Sequence, residues 1–366
     1  MTPNILHLIT SLKIGGTETL VAALCHSQKS RYNVYAGYIK EPGDVLDDVR
    51  ADGVPVQKFS GLLDLCRFLR RNQIHVLHTH LYRANILGRI AGALCRTPVI
   101  ISSQHGIDLW RKPHHSLVDR STARFADCIL PDSEAAKTKL LTRERIAEDK
   151  IRVLRSCAVD PSTFVSKRTR EEVRKELGVA DNVTVLGCIA RLHREKGMDR
   201  LVPLMKLIMA RIPNIVVIVA GDGPLRDDLE REIQAAGLRD HVRILGWRRD
   251  IPDLLSAMDV FCLLSREESF PRVLLEAMLL RCPVAAMNVG GVSEAMAHET
   301  HGLLVPDGDL AGMAAAITTL VESREEAGEM ADRGRERVIR KYTLDRMLAD
   351  TELLYRELID RKLKKS

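Results

Sequence analysis

The sequence predicts an α/β protein built from two doubly wound parallel sheets. Three observations carry that expectation. The chain has 366 residues, more than twice the roughly 150 of a typical domain. Short, nearly continuous apolar runs recur along it. Amphipathic, helix-like stretches separate those runs, the pattern of parallel strands covered on both faces.

In the first half the strand-like runs are NILHLI (4–9), VYAGYI (34–39), HVLHTH (75–80), PVIISSQ (98–104), CILPDS (128–133) and IRVLRS (151–156). Segments such as TETLVAALCHSQ and RANILGRIAGALC lie between them and read as helices. The second half repeats the rhythm with runs at 183–190, 215–221, 242–247, 260–265, 283–288 and 302–306. DPSTFVSKRTREEVRKELG, around 160–180, breaks the rhythm and reads as linker and entry helix. The expected division is therefore 1–165 and 166–341. The helical tail 342–366 has no strand to follow and is expected to cross back to the first domain.

Composition sets the class. With 45% hydrophobic, 28% charged and 4% aromatic residues, the chain can bury two cores. No stretch approaches the ~20 apolar residues of a membrane span. The N-terminus lacks a basic region before its apolar run, so it reads as a first strand and not as a signal peptide. Eight cysteines stand singly, without C-x-x-C, which points to a reducing cytoplasm and against a disulfide framework or zinc site. Residues 1–170 hold 26 Lys and Arg against 16 Asp and Glu, a net of +10, and eight of the twelve histidines. The remainder carries a net of −4. The first half is thus expected to meet something anionic, which is not expected to be nucleic acid.

In open α/β sheets, ligands collect beyond the carboxyl ends of strands, and with two facing domains the cleft between them is the expected active site. After the first strand, Gly15-Gly16 allows close backbone approach at a helix N-terminus. It is not a dinucleotide or Walker fingerprint. Arg191-Leu-His-Arg-Glu-Lys196-Gly197 follows a later strand and would suit a departing diphosphate. REESFPRVLLEAM (266–278) places Glu268 in a loop and Glu276 inside an apolar helix. That helix is expected to begin near Phe270 or Pro271, with Ser269 as its cap. A carboxylate buried at Glu276 costs several kcal/mol unless it is hydrogen-bonded or protonated. A ribose diol offers it two donors, so one extended ligand touching both glutamates has the outline of a nucleotide-sugar.

Two glutamates separated by seven residues, Glu268 and Glu276, resemble the signature of the retaining glycosyltransferases of family 4, the group 1 transferases with a GT-B fold. The resemblance extends through LHTHLYRANILGRIAG, SSQHG, PDSEAAK, IARLHREKG, VAGDGPLRDDLE and GGVSEAMAHETHGLLVPDGD. It implies that Arg191 and Lys196 grip the donor diphosphate and that Glu276 holds the ribose. Glu268 would contact the transferred sugar, with the backbone of Ser269 and Phe270 nearby. Gly15 and Gly16 would lie against the phosphates, and His105 would orient or stabilise the donor sugar.

The implied activity is hexose transfer from a UDP- or GDP-sugar, with retention and without a metal cofactor. Lipopolysaccharide, exopolysaccharide or another cell-surface glycan is the expected product. The acceptor would be presented at the inner face of the cytoplasmic membrane, with Trp110, Arg111, Lys112, His114 and His115 touching headgroups. Asp307-Gly-Asp309 imitates a metal-binding D-x-D but is expected to be structural. A nucleotide-sugar epimerase of the same fold and a non-catalytic nucleotide-sugar-binding protein are the competing readings. Ser156-Cys157-Ala158-Val159-Asp160, Leu264-Ser265 and Ser293 depart from the family pattern at the hinge and donor loops.

Overall fold

The computed structural model describes residues 2–12, 16–43, 45–106, 111–156 and 158–363, of which Leu363 is described in its backbone alone. The chain forms two compact units, Met1–Cys157 with Asp345–Ser366, and Ala158–Leu344. The divisions thus fall at 157/158 and 344/345, where the sequence had suggested 165/166 and 341/342.

Among the described residues, the first unit holds one six-stranded sheet. Its strands are β1 (Asn4–Ile9), β2 (Asn33–Tyr38), β3 (Val56–Lys58), β4 (Val76–His80), β5 (Val99–Gln104) and β6 (Cys128–Pro131). They are all parallel in the order β3-β2-β1-β4-β5-β6. The helices between them are α1 (Gly16–Gln28), α2 (Val45–Ala51), α3 (Leu62–Arg71), α4 (Tyr82–Cys95), α5 (Pro113–Ala123) and α6 (Glu134–Thr142). Helices on both faces are why β1 reads as an almost uninterrupted apolar run, and why β4 and β5 are buried throughout, polar residues included.

Two sequence expectations fail at the sheet edges. Residues 151–156 are not a strand, because Ile151 forms one isolated bridge to Ile129. Arg152 and Leu154 donate to the carbonyls of Ile129 and Pro131, but Pro131 has no N–H to return a bond and the ladder stops. Val56–Lys58 is a strand that the apolar pattern missed. It is short, pairs only with β2 and is mostly exposed, so hydrophobicity never marked it.

The C-terminal helix, Leu344–Leu363, completes this unit. Leu354, Tyr355 and Leu358 are buried in one core cluster with Ile5, Val34 and Val76. Its polar side adds a two-pronged ion pair, Arg152 to Glu357 at 2.5 and 2.6 Å, and a 2.9 Å hydrogen bond from the Tyr32 hydroxyl to Glu352.

The second unit repeats the architecture. Its strands are β7 (Thr184–Ile189), β8 (Ile215–Ala220), β9 (Val242–Gly246), β10 (Val260–Leu263), β11 (Val284–Asn288) and β12 (Leu303–Pro306). They are parallel in the order β12-β11-β10-β7-β8-β9. Around them pack α7 (Arg170–Glu176), α8 (Leu201–Met209), α9 (Arg226–Ala235), α10 (Ile251–Ala257), α11 (Arg272–Leu279), α12 (Val292–Ala295), α13 (Leu310–Glu322) and α14 (Arg324–Lys341). Thr169 and Glu172 form a reciprocal capping box that starts α7 directly after the linker.

In each sheet the strand order reverses beside a central strand, between β1 and β4 in the first and between β7 and β10 in the second. Loops leaving adjacent strands in opposite directions open a crevice there, the usual ligand position in this architecture. No described helix is long and apolar enough to cross a membrane.

Candidate functional site

In the second unit the loops after β7 and β10 meet at this reversal. Gly197 permits the approach. Its φ is +69°, and a Cβ there would lie 1.9 Å from the carbonyl oxygen of Leu264. Arg266 then staples the loops together. Its N–H donates to Glu195 O at 2.9 Å, and its guanidinium donates to Arg194 O at 2.8 Å and to both carboxylate oxygens of Asp199 at 2.5 and 2.8 Å.

On this frame Lys196 and Glu268 come together. Lys196 Nζ donates to Glu268 Oε1 at 2.6 Å, and Ser265 Oγ donates to the same oxygen at 2.6 Å. The Glu268 side chain is 9% exposed and that of Lys196 24%. The pair is therefore largely desolvated but open on one side. The N–H of Gly291 fixes the Glu268 backbone by donating to its carbonyl at 3.0 Å. Arg191 is not gathered into this group. Its side chain is 71% exposed and its ion pair, at 3.8 Å, is with Glu195.

Helix α11 begins at Arg272, and the preceding residue is Pro271, so Ser269 is not its cap. Ser269 and Phe270 are both buried. The Phe270 ring anchors the loop edge-on against Tyr342, with centroids 5.2 Å apart. One turn into the helix, Glu276 receives a 2.9 Å bond from Arg272 Nε. Burial raises its pKa above the usual carboxylate value, and Arg272 opposes the rise. The sequence left this carboxylate unpartnered, although the spacing of Arg272 and Glu276, four residues apart, marks neighbours on a helix face.

The first unit carries a separate polar group around its own reversal. A cavity of about 240 Å³ opens beyond β1, β4 and β5, lined by Thr10, Ser11, Tyr82, Asn85, Gln104 and His105 among others. Behind it lies a row of imidazoles. His105 Nε2 is 3.1 Å from His80 Nδ1, His80 Nε2 is 3.2 Å from His7 Nδ1, and His7 Nε2 is 2.9 Å from Gln28 Oε1. His105 Nδ1 is 3.1 Å from Ser156 Oγ. Burial lowers the pKa of His7 and of His105 to about 4 and holds His78 and His80 well below the ordinary imidazole value.

Candidate ligating atoms of His7, His78 and His80 all lie within 4.8 Å of one another, close enough for a metal ion. Each ring nitrogen already has a protein partner, however, including Tyr355 and Ser103 for His78. A metal would have to displace those bonds. The sequence singled out His105 alone. The alternation in LHTH and the paired position of His7 on β1 were the signals for the rest.

Several sequence candidates need a different account. Gly15 and Trp110 lie outside the described residues. Gly16 opens α1, where a Cβ would meet no described atom within 4 Å. Arg111 is not a surface headgroup contact, because it is buried on Asp119 at 2.7 Å; Lys112 and His114 are exposed. In the D-x-D imitation, Asp307 pairs with Arg200 at 2.7 Å and Asp309 caps α13 by accepting from Gly312 N at 2.8 Å.

Two doubly wound units of this kind, each with polar side chains at its strand reversal, define a GT-B fold. The fold is shared with Anabaena HepE, crystallised in complex with UDP, at a TM-score of 0.88 and 24% identity over 98% of this chain and 100% of that one. Residues 5–157 match the glycosyl transferase 4-like domain, and residues 169–337 match glycosyl transferases group 1. The chain belongs to the group 1 glycosyltransferases of family 4. It is 26% identical over 353 residues to an Escherichia coli UDP-Gal:α-D-GlcNAc-diphosphoundecaprenol α-1,3-galactosyltransferase, covering 88% of this chain and 89% of that protein. It is 29% identical over 262 residues to the α-D-kanosaminyltransferase of Streptomyces kanamyceticus, covering 70% and 68%.

Proposed function

We propose that this glycosyltransferase moves a hexose from a UDP- or GDP-sugar to a lipid-linked glycan, with retention of anomeric configuration and without a metal cofactor. The observation that carries the reading is the largely desolvated Lys196–Glu268 pair at the strand reversal, with half-buried Glu276 one turn into the helix that follows. Lys196 exchanges its bond to Glu268 for the donor diphosphate and stabilises the leaving group, with exposed Arg191 folding onto the same phosphates. Glu268 then accepts from the hydroxyls of the transferred sugar, held in place by Ser265. Glu276 takes the ribose diol, whose two donors complete the solvation that Arg272 begins. In the same reading, Gly15 and Gly16 serve the phosphates and His105 orients the donor sugar. His105 does so as a neutral ring, since its pKa lies near 4.

The acceptor assignment rests on the excess of positive charge in residues 1–170 and on the diphosphoundecaprenol substrate in the Escherichia coli relative's name. It places the enzyme at the cytoplasmic face of the membrane, in the synthesis of a cell-surface glycan such as lipopolysaccharide.

A thermal-shift panel of UDP-, GDP- and ADP-sugars tests the donor, because a bound ligand raises apparent stability by mass action. A shift with a UDP- or GDP-sugar is expected, and no shift with any sugar nucleotide would overturn the reading. NMR of the product formed from the shifting donor then reports the anomeric configuration. Sedimentation with anionic vesicles at low salt tests the membrane half, which fails if the protein stays in the supernatant.

A further inference from the structure

Three imidazoles stand in one hydrogen-bonded row in the first unit, His7, His80 and His105, each with both nitrogens committed. Each neutral imidazole has one N–H donor and one acceptor nitrogen. A row of this kind therefore has two proton arrangements. Either every ring carries its hydrogen on Nε2, or every ring carries it on Nδ1.

The inner end of the row selects between them. Gln28 Oε1 is an acceptor with no hydrogen to give, so His7 donates to it from Nε2. His7 Nδ1 then accepts from His80 Nε2, and His80 Nδ1 accepts from His105 Nε2. His105 Nδ1 is left as an acceptor, and the Ser156 hydroxyl donates to it. Gln28, His7 and His80 are all buried. Gln28 also hydrogen-bonds Tyr355 of the C-terminal helix. The direction-setting amide is thereby held between the first helix and the last.

We propose that Gln28, His7 and His80 are positioning residues for His105. They fix it as the neutral Nε2–H tautomer, with neither ring nitrogen left for proton transfer. His105 then meets a ligand in the cavity through its ring edge and face. The inference rests on the sugar-orienting role proposed above for His105, but it is read from the rings themselves. Its failure is therefore distinguishable from a failure to find transfer.

The test is imidazole ¹⁵N NMR of the full-length protein labelled at histidine, with resonances assigned by His7→Gln, His80→Gln and His105→Gln. The expected wild-type spectrum shows a protonated Nε2 and an unprotonated Nδ1 for all three rings. In Gln28→Met the selecting acceptor is gone, and the expected result is loss of the single tautomer, with the two nitrogens of each ring averaging. Ser156→Ala removes only the outer end, so His105 keeps its Nε2–H signature. A wild-type His105 protonated at Nδ1, or already averaged, would overturn the proposal. So would a Gln28→Met spectrum identical to wild type. Should Gln28→Met not fold, the wild-type and Ser156→Ala spectra decide the matter.

Discussion

Lys196 and Glu268, 72 residues apart in the chain, share a 2.6 Å ion pair at the point where the second sheet reverses its strand order. Ser265 donates to the same carboxylate oxygen, so Glu268 keeps a partner when Lys196 is removed. In the proposed function the pair exchanges its bond for groups of the donor.

Lys196→Ala should therefore lower kcat by about 10²- to 10³-fold, the usual effect of deleting one charge-stabilising donor. Lys196→Arg should recover part of the loss. Initial rates with the donor identified by thermal shift check this, and an unchanged kcat in Lys196→Ala removes the residue from the leaving-group role.

Glu276 should behave as a group kept at a cost. Burial raises its folded pKa above the unfolded value, so the fold binds more protons and stability falls as pH rises through the raised pKa. Glu276→Gln removes that penalty. The variant is expected to melt higher than the parent at neutral pH and to bind UDP or GDP roughly 10- to 100-fold more weakly. Calorimetry and melting curves on the same samples measure both, and undiminished nucleotide affinity would exclude the ribose role.

The buried imidazoles should make the first unit acid-sensitive. His7 and His105 have folded pKa values near 4, against about 6.5 unfolded. Their contribution is fully present above the unfolded value and is lost as pH falls through the folded one. By linkage each contributes on the order of 2 kcal/mol less at pH 5 than at neutral pH. Melting temperature should fall steeply between pH 6.5 and 4, and His7→Gln should flatten that slope. An equal slope in the variant would show that other groups dominate.

Gly197→Ala places a methyl group 1.9 Å from Leu264 O at a positive φ. The loops after β7 and β10 must separate to admit it, at a cost of at least about 2 kcal/mol. A lower melting temperature and a disrupted Lys196–Glu268 pair, seen as lost donor binding, are expected. Wild-type binding in this variant would mean that the loops do not need their present approach.

Much of this was legible in the sequence, for physical reasons. Strands buried on both faces announce themselves by continuous apolarity, so β1, β7 and β8 were plain. β3 was not, because an exposed edge strand need not be apolar. Residues 151–156 were misread because apolarity says nothing of the donor that Pro131 lacks. At the site, spacing brought out Glu268, Glu276 and Lys196. It could not disclose Ser265 or Arg266, whose importance lies in which atom they reach, although the four-residue spacing from Arg272 to Glu276 did mark a helix-face pair. His7 was hidden for the same reason, as it looks like a lone histidine on its strand until β1 is laid beside the His78 and His80 of β4.

The C-terminal helix has a consequence for how the chain is made. Leu354, Tyr355 and Leu358 fill the core around β1 and β4, yet they are synthesised after the whole of the second unit. While the ribosome is still at work, the first unit lacks part of its interior and one partner of His78. The unit that begins the chain is the last to be finished, and a nonsense codon between Asp345 and Leu354 would leave the second unit's residues entire while the first unit's apolar core stays open to aggregation.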